Sequence, residues 1–254
     1  MKEKGVVVCI PARFGSTRFP GKPVAKLGGK PIIQWVYEKG LGSKAESVII
    51  ATDNDIVFKT GTAFGAKCVM TSDKHPSGTD RIWEAVKNIN CDVIINIQGD
   101  EPLIEISTIN SLIDMFTANS SMEMGTVVVK ADRSVIGRNP NVVKAVLGKD
   151  NSALYFSRSE IPFIRDTGKN FPIYKHLGIY GYRKKTLERI VSLPQSELEK
   201  CEMLEQLRAL DNGIKIYAVI LDNDFGVGID TPEDLAKAES LISNKNEERK
   251  LRYV

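Results

Sequence analysis

The stretch Cys9-Ile10-Pro11-Ala12-Arg13-Phe14-Gly15-Ser16-Thr17-Arg18-Phe19-Pro20-Gly21-Lys22-Pro23 gathers Gly15 and Gly21, three prolines, and the cations Arg13, Arg18 and Lys22 into one loop. That composition suits a polyphosphate. Glycines let backbone N–H groups approach phosphate oxygens, and the cations offset the charge. The loop is not a G-x-x-x-x-G-K-[ST] motif, because Pro23 follows Lys22, and it lacks G-x-G-x-x-G. A solvated Gly/Pro turn is the competing reading. The apolar run before the loop and an acidic motif further along favour the phosphate.

That acidic motif is Asn96-Ile97-Gln98-Gly99-Asp100-Glu101-Pro102. An Asp just past a buried strand, on a glycine hinge, projects into the crevice where ligands bind. Carboxylates there hold Mg²⁺ against substrate phosphates, since Mg²⁺ takes a few hard oxygens and keeps some waters. Gly-Asp-Glu-Pro is also ordinary turn chemistry. A second acidic candidate is Asp230 in Gly228-Ile229-Asp230-Thr231-Pro232, where a helix-terminal charge or cap is the alternative.

Only two histidines are present, and neither pairs in sequence with a nucleophile, so Ser/His/Asp catalysis has no support. His75 lies in a loop, Ser72 to Arg81, that closes into a helix N-terminus and suits a base or ribose; a plain N-cap explains it equally. His176 opens a Gly-punctuated strand and reads as structural. Glu202-Met203-Leu204-Glu205-Gln206-Leu207-Arg208 reads as part of an amphipathic helix with a solvated polar face.

Strands and helices alternate through the first half. Expected strands are 5–10, 47–51, 67–70 and 92–97. Expected helices are 31–39, with Pro31 first, then 55–64 and 79–88. Continuous β-branched runs such as Val93-Ile94-Ile95 imply strands buried on both faces, hence a mostly parallel sheet flanked by helices. In such a sheet ligands bind at the strand carboxyl ends, where the loops 11–23, 52–55, 71–78 and 98–102 fall. After residue 120 the spacing shortens. Strands at 125–130, 142–147, 153–157 and 174–182 predict a smaller antiparallel lobe, inserted over 124–182. Helices at 184–192 and 201–211, a strand at 215–220, and a helix at 232–240 capped by Thr231 follow. The expected plan is one α/β catalytic domain over 1–242 and a charged tail over 243–254.

At 254 residues with 42% hydrophobic content the chain can bury a sizeable core. A net charge of +3, with no long basic face, argues against nucleic acid. Cys9, Cys68, Cys91 and Cys201 include no C-x-x-C pair. They read as free thiols of a reducing cytosol, and a zinc site is not expected. The longest apolar run falls short of the about 20 residues that span a bilayer. No membrane insertion and no signal peptide are expected, which places the protein in the cytoplasm.

Eight strings now coincide in order: IPARFGSTRFPGKP, ATDN, HPSGTDR, NIQGDEP, ALYFSR, KHLGIYGYR, EMLEQLR and GIDTPEDL. Together they cover residues 10 to about 241, and the chain resembles the 3-deoxy-manno-octulosonate (Kdo) cytidylyltransferases. Sialic acid cytidylyltransferases share an opening like IPAR but continue differently. The resemblance implies a nucleotide-diphospho-sugar transferase fold, a homodimer, Mg²⁺, and transfer of CMP from CTP to Kdo for lipopolysaccharide synthesis. Carried over by motif, Arg13 and Lys22, with Ala12, Gly15 and Ser16, meet the triphosphate. Ala51, Thr52 and Asp53, with Pro76, Ser77, Gly78 and Arg81, surround cytidine. Gln98 and Asp100 lie at the reacting centre, and Asp100 and Asp230 bind metal. Arg158, His176, Tyr180, Glu205 and Gln206, together with Gln98, face the sugar acid. An amino-sugar or sialic-acid-like substrate, a uridylyl- or guanylyltransferase, and an inactive nucleotide-binding scaffold are the alternatives.

Overall fold

A computed structural model of the chain describes residues 5–16, 18–166, 171–223 and 228–251, with side chains up to residue 243. Its elements are β1 (Val6–Ala12), β2 (Lys26–Leu27), β3 (Lys30–Pro31), α1 (Ile32–Leu41), β4 (Ser47–Thr52), α2 (Asp55–Ala63), β5 (Cys68–Met70), α3 (Gly78–Val86), β6 (Val93–Asn96) and α4 (Ile106–Ala118). There follow β7 (Met124–Ala131), α5 (Arg133–Ile136), β8 (Lys144–Leu147), β9 (Ala153–Ser157), β10 (Ile173–Arg183), α6 (Lys184–Ser192), α7 (Glu197–Glu202), α8 (Gln206–Asp211), β11 (Ile216–Leu221) and α9 (Pro232–Leu251). The chain forms two compact units. One comprises 7–89, 96–107 and 225–254; the other comprises 1–6, 90–95 and 108–224.

The first of these units is built on the parallel strands β1, β4 and β5. Val7 to Ile10 and Val48 to Ala51 are buried, which is why these strands read as unbroken apolar runs. The register pairs Val7 with Ser47 and Ala12 with Thr52, so both strands end level. β5 joins with Thr52 opposite Met70. Side chains cap the helix starts at this end. Asn54 Oδ1 accepts from the Ile56 and Val57 N–H groups, and Ser77 Oγ accepts from the Asp80 N–H. Pro31 is the residue before α1 rather than its first, and α1 buries Ile32, Ile33, Val36 and Tyr37. A small core of Leu27, Ile32, Ile229 and Ala238, with Phe19, Trp35 and Leu235 against it, binds the phosphate-loop region to α1 and α9. α9 continues to Leu251, well past the expected end at 240.

In the second unit β7 is flanked by β11 in parallel and β10 antiparallel, and β8 and β9 continue the antiparallel pairing. This matches the expected antiparallel pairing of the second half. The sequence reading omitted α4, although Ile109, Leu112, Ile113 and Phe116 recur at helical spacing and are buried. Gly125 and Gly181 face each other across β7 and β10. A Cβ on Gly181 would stand 2.3 Å from the Phe116 ring, so this glycine makes room for α4.

The single helix expected at 201–211 is two. Met203 adopts φ 53° between α7 and α8, and Glu199 and Arg208 close the corner as a buried pair with N···O distances of 2.7 and 2.6 Å. The solvated face expected over Glu202–Arg208 is partly turned inward: Gln206 and Arg208 are buried, and Glu202 and Glu205 are half-buried. Buried charges of this sort persist only when paired and geometrically matched. Cys9 and Cys91 are buried, Cys68 is half-buried, Cys201 is exposed, and all four are free. No described helix is long and apolar enough to cross a membrane.

Candidate active site

The loop after β1 folds on its own backbone. Phe14 C=O accepts from the Ser16 and Gly21 N–H groups, each at 3.0 Å, and Phe19 N–H donates to Ser16 Oγ. Gly21 has φ 73° and lies against the Phe14 ring, where a Cβ would stand 3.3 Å from it. This turn is one that glycine alone takes without strain. It starts a 3₁₀ turn at Lys22–Val24 that buries the Lys22 stem. Arg13 and Gly15 remain exposed, Ser16 is half-buried and Ala12 is buried. Among the described residues Arg13 has no ion-pair partner, so its guanidinium faces solvent.

Lys22 Nζ lies 2.5 Å from Asp100 Oδ2 and 3.2 Å from Asp230 Oδ1, and Arg18 reaches Asp230 at 3.2 Å. Two carboxylates 130 positions apart thus converge on one cation. Backbone geometry sets this up. Gly99 sits so close to β1 that a Cβ would stand 2.9 Å from Pro11 O. Ile229 N–H donates to Asp100 C=O at 2.9 Å, and the buried Ile229 side chain anchors the segment. Thr231 caps α9: its Oγ1 accepts from Asp234 N–H, and Asp234 Oδ2 accepts from Thr231 N–H. Asp230 is therefore not the capping group, and its carboxylate faces Lys22. Two hard carboxylate oxygens already holding a cation fit Mg²⁺, which takes its remaining ligands from water and phosphate. No set of three or more His, Cys, Asp or Glu side chains among the described residues could hold a metal.

At the ends of β4 and β5, Arg81 is buried. Its Nη2 donates to Asp53 Oδ2 at 2.5 Å and its Nη1 to Thr71 Oγ1 at 2.7 Å. Ala51 and Thr52 are fully buried beneath this pair. Pro76 and Gly78 are exposed, and Ser77 is half-buried and engaged with Asp80 at 2.6 Å. His75 bonds Glu84, whose carboxyl is held below its ordinary pKa by the Ser72 N–H and by that ring. Gln98 is half-buried in the turn before Asp100.

Apart from Gln98, the residues expected on the sugar side lie in the other unit and have a different character. His176 lies inside β10 rather than at its start. It is buried, and burial pushes its pKa down to about 3, so the ring is neutral. Phe156 meets it edge-on at 4.8 Å, and Tyr180 lies at 5.4 Å. Burial first, then Tyr182 and Glu205, raise the Tyr180 hydroxyl pKa, which places Glu205 near it. Gln206 is buried and its Nε2 has no hydrogen-bond partner. A buried orphan donor of this kind marks a place for a ligand acceptor or a bound water.

Arg158 is held by backbone: Nε donates to Glu202 C=O at 2.9 Å and Nη1 to Pro140 C=O at 3.0 Å. Sequence reasoning missed the supports beneath it. Glu202 accepts from Ser157 Oγ at 2.5 Å and Arg158 N–H at 3.0 Å. Lys144, fully buried, donates to Asn139 C=O at 2.9 Å, Val142 C=O at 2.8 Å and Arg158 C=O. Burial lowers the Lys144 pKa. Nothing in periodicity marks a lysine in a strand as a cap for three carbonyls. Thr71 and Glu84 were likewise invisible, because their partners are 10 and 12 residues away in the chain.

The cytidylyltransferase family model matches residues 7–216. The 3-deoxy-manno-octulosonate cytidylyltransferase of Thermodesulfovibrio yellowstonii is 49% identical over 253 residues, covering 94% of this chain and 98% of that protein. An 8-amino-3,8-dideoxy-manno-octulosonate cytidylyltransferase of Shewanella baltica is 44% identical, covering 94% and 98%. A solved CMP:2-keto-3-deoxy-manno-octonic acid synthetase complexed with CTP superposes with a TM-score of 0.91 at 38% identity, covering 95% of this chain and 99% of that one. A Leptospira borgpetersenii cytidylyltransferase shares the fold at a TM-score of 0.66 and 21% identity, with 95% and 88% covered. The chain belongs to the cytidylyltransferase family.

Proposed function

We propose that the protein transfers CMP from CTP to 3-deoxy-manno-octulosonate, releasing pyrophosphate and supplying an activated sugar for lipopolysaccharide synthesis. The observation that carries this reading is the convergence of Asp100 and Asp230 on Lys22 beside a folded phosphate loop, in a chain so similar to enzymes of that name. The anomeric hydroxyl attacks the α-phosphorus in line: a new P–O bond forms, the α–β P–O bond breaks, and the hydroxyl proton leaves to solvent. Arg13 and Lys22 offset charge on the departing pyrophosphate, the main task of a protein in phosphoryl transfer. Asp100 and Asp230 would hold Mg²⁺, which when bound screens the triphosphate from the sugar carboxylate and lowers the pKa of the attacking hydroxyl. Asp53 and Arg81 form one wall for cytidine, and Ser77 and Gly78 another. Arg158 offers the carboxylate of the sugar acid its remaining N–H groups, and Gln206 Nε2 donates to a sugar oxygen. No side chain is needed as a nucleophile.

The 44% identity to 8-amino-sugar enzymes supports a second substrate reading on the same site. Pyrophosphate release from CTP, measured with Kdo, its 8-amino analogue and neutral sugar phosphates, decides between them. Release with Kdo above the others supports the proposal. Turnover only with a neutral sugar phosphate overturns it. A homodimer in the cytoplasm is part of the proposal, and light scattering of the purified protein tests the dimer.

A further inference from the structure

Thr126 is fully buried in β7. Across from it the register of β10 shifts between Leu177 and Tyr180: Leu177 pairs with Val127, yet Tyr180 pairs with Thr126. Such a bulge re-aims the side chains around it. Thr126 Oγ1 occupies the irregularity, 2.8 Å from Ile179 O, 3.4 Å from Leu177 O and 2.9 Å from His176 Nε2.

A hydroxyl carries one hydrogen, and both carbonyls can only accept. The short contact to Ile179 O takes that hydrogen. The hydroxyl must then accept from the imidazole, so Nε2 carries the ring proton. Because His176 is neutral at working pH, its Nδ1 is left with a lone pair and no hydrogen. Phe156 and Tyr180 both pack against the ring.

We propose that Thr126 is a positioning residue for the sugar-acid site: it holds His176 as the Nε2–H tautomer, so that Nδ1 accepts a hydrogen bond from a hydroxyl of the sugar. The proposal rests on the reading of His176 as part of that site. It narrows what His176 recognises. An Nδ1 lone pair takes a hydroxyl or an ammonium and repels a carboxylate or phosphate, which leaves the carboxylate to Arg158. It also removes His176 from proton transfer.

The chain has two histidines, so its imidazole ¹⁵N spectrum is small, and His75→Gln assigns the His176 signals. Ligand-free wild-type protein is expected to show His176 as a single Nε2–H tautomer across the neutral range. Thr126→Val keeps the shape but neither donates nor accepts. It is expected to mix or invert the tautomer and to raise KM for Kdo about five- to ten-fold, as loss of one neutral hydrogen bond allows. CTP affinity measured without sugar should stay within about two-fold. Thr126→Ser restores both tautomer and KM, which a role in strand packing alone would not predict.

A valine variant that keeps the wild-type tautomer overturns the proposal. So does a variant whose tautomer changes while KM does not, if His176→Ala does raise KM. If neither His176→Ala nor Thr126→Val alters KM for any sugar acid, His176 is not in the sugar site, and the functional reading beneath the proposal fails even where the tautomer responds as described.

Discussion

The candidate site groups of the unit built on β1, β4 and β5 and those of the unit built on β7 and β10 differ in how they carry charge. In the first, the two buried cations meet carboxylates: Lys22 meets Asp100 and Asp230, and Arg81 meets Asp53. Asp53 and Asp100 sit in loops past strand carboxyl ends, Lys22 opens the 3₁₀ turn, and Arg81 lies near the start of α3. In the second, the candidate groups include the neutral His176 ring with Phe156 and Tyr180 against it and the buried Gln206 amide, and the Glu199–Arg208 pair between α7 and α8 is sealed away from solvent. Under the proposed function, the difference suits two kinds of ligand. A triphosphate with its metal exchanges ion pairs, so a site of balanced, half-exposed charges can receive it without stranding a buried charge. A hydroxyl-rich sugar acid is read by individually placed hydrogen bonds, which gain strength in dry surroundings.

The sharpest way to break this comparison is at the carboxylates. Asp100→Asn and Asp230→Asn are each expected to lower kcat by ~10²-fold or more while circular dichroism stays native, since a lost metal carboxylate removes several kcal/mol of transition-state stabilisation. If Asp230→Asn keeps wild-type kcat across Mg²⁺ concentrations, Asp230 serves only to pair with Arg18 and Lys22. The first unit would then carry one functional carboxylate, not two.

Next in size is the separation of the two ligands. Arg13→Ala should weaken CTP binding about ten-fold in calorimetry without sugar, and Arg158→Ala should raise KM for Kdo about ten-fold at unchanged CTP affinity, as charge-assisted bonds of about 1.5–3 kcal/mol allow. Arg158 uses two of its N–H groups on Glu202 and Pro140 carbonyls, so part of the loss will be positional. A CTP affinity that falls in Arg158→Ala, with KM for Kdo preserved, would show that the sugar and nucleotide sides are not divided between the units.

The same contrast explains what was legible. Lys22 beside Gly21 and Asp100 beside Gly99 each lie past an apolar strand, where residue type and local spacing carry the chemistry although the two are 78 residues apart. The sheet in that half followed from continuous β-branched runs. Asp230 was ambiguous because Thr231 and Asp234, three residues apart, also make a capping box, and only the fold shows that they suffice without it. In the other unit no local motif marks the residues that support the site. Ser157 and Arg158 are tied to Glu202, 45 and 44 residues on, and Thr126 to His176 across 50. The α7–α8 corner was lost because Met203 takes a left-handed conformation that its side chain does not advertise.

A smaller effect tests the neutrality of His176. Its pKa is about 3 folded and about 6.5 as a free side chain, so the unfolded chain binds more protons between those values. The stabilisation is complete above pH 6.5 and is lost as pH falls toward 3, by up to about 1.4 kcal/mol per pH unit. Urea unfolding of the wild type should therefore lose about 1 kcal/mol from this group between pH ~7 and pH ~5.5. His176→Gln should show a shallower acid slope. An unchanged slope would mean that the ring is solvated and charged, and that the second unit is not the dry site described.

The smallest effect separates a binding role from a packing role at Gln206. An amide held in the interior with Nε2 unpaired costs the folded protein stability, because water would have satisfied it. Gln206→Met keeps length and bulk and removes the orphan. If the amide is retained to bind the sugar, the variant should be more stable by roughly 1 kcal/mol in urea unfolding without ligand, and its KM for Kdo should rise several-fold. If the amide instead holds a structural water, Gln206→Met should lose stability. The two signs are opposite, so one denaturation curve distinguishes them, and a loss of stability with KM unchanged would remove Gln206 from the sugar side. Arg208, buried two residues on and paired with Glu199, is the control: it has its partner already, and Arg208→Met should destabilise without that ambiguity.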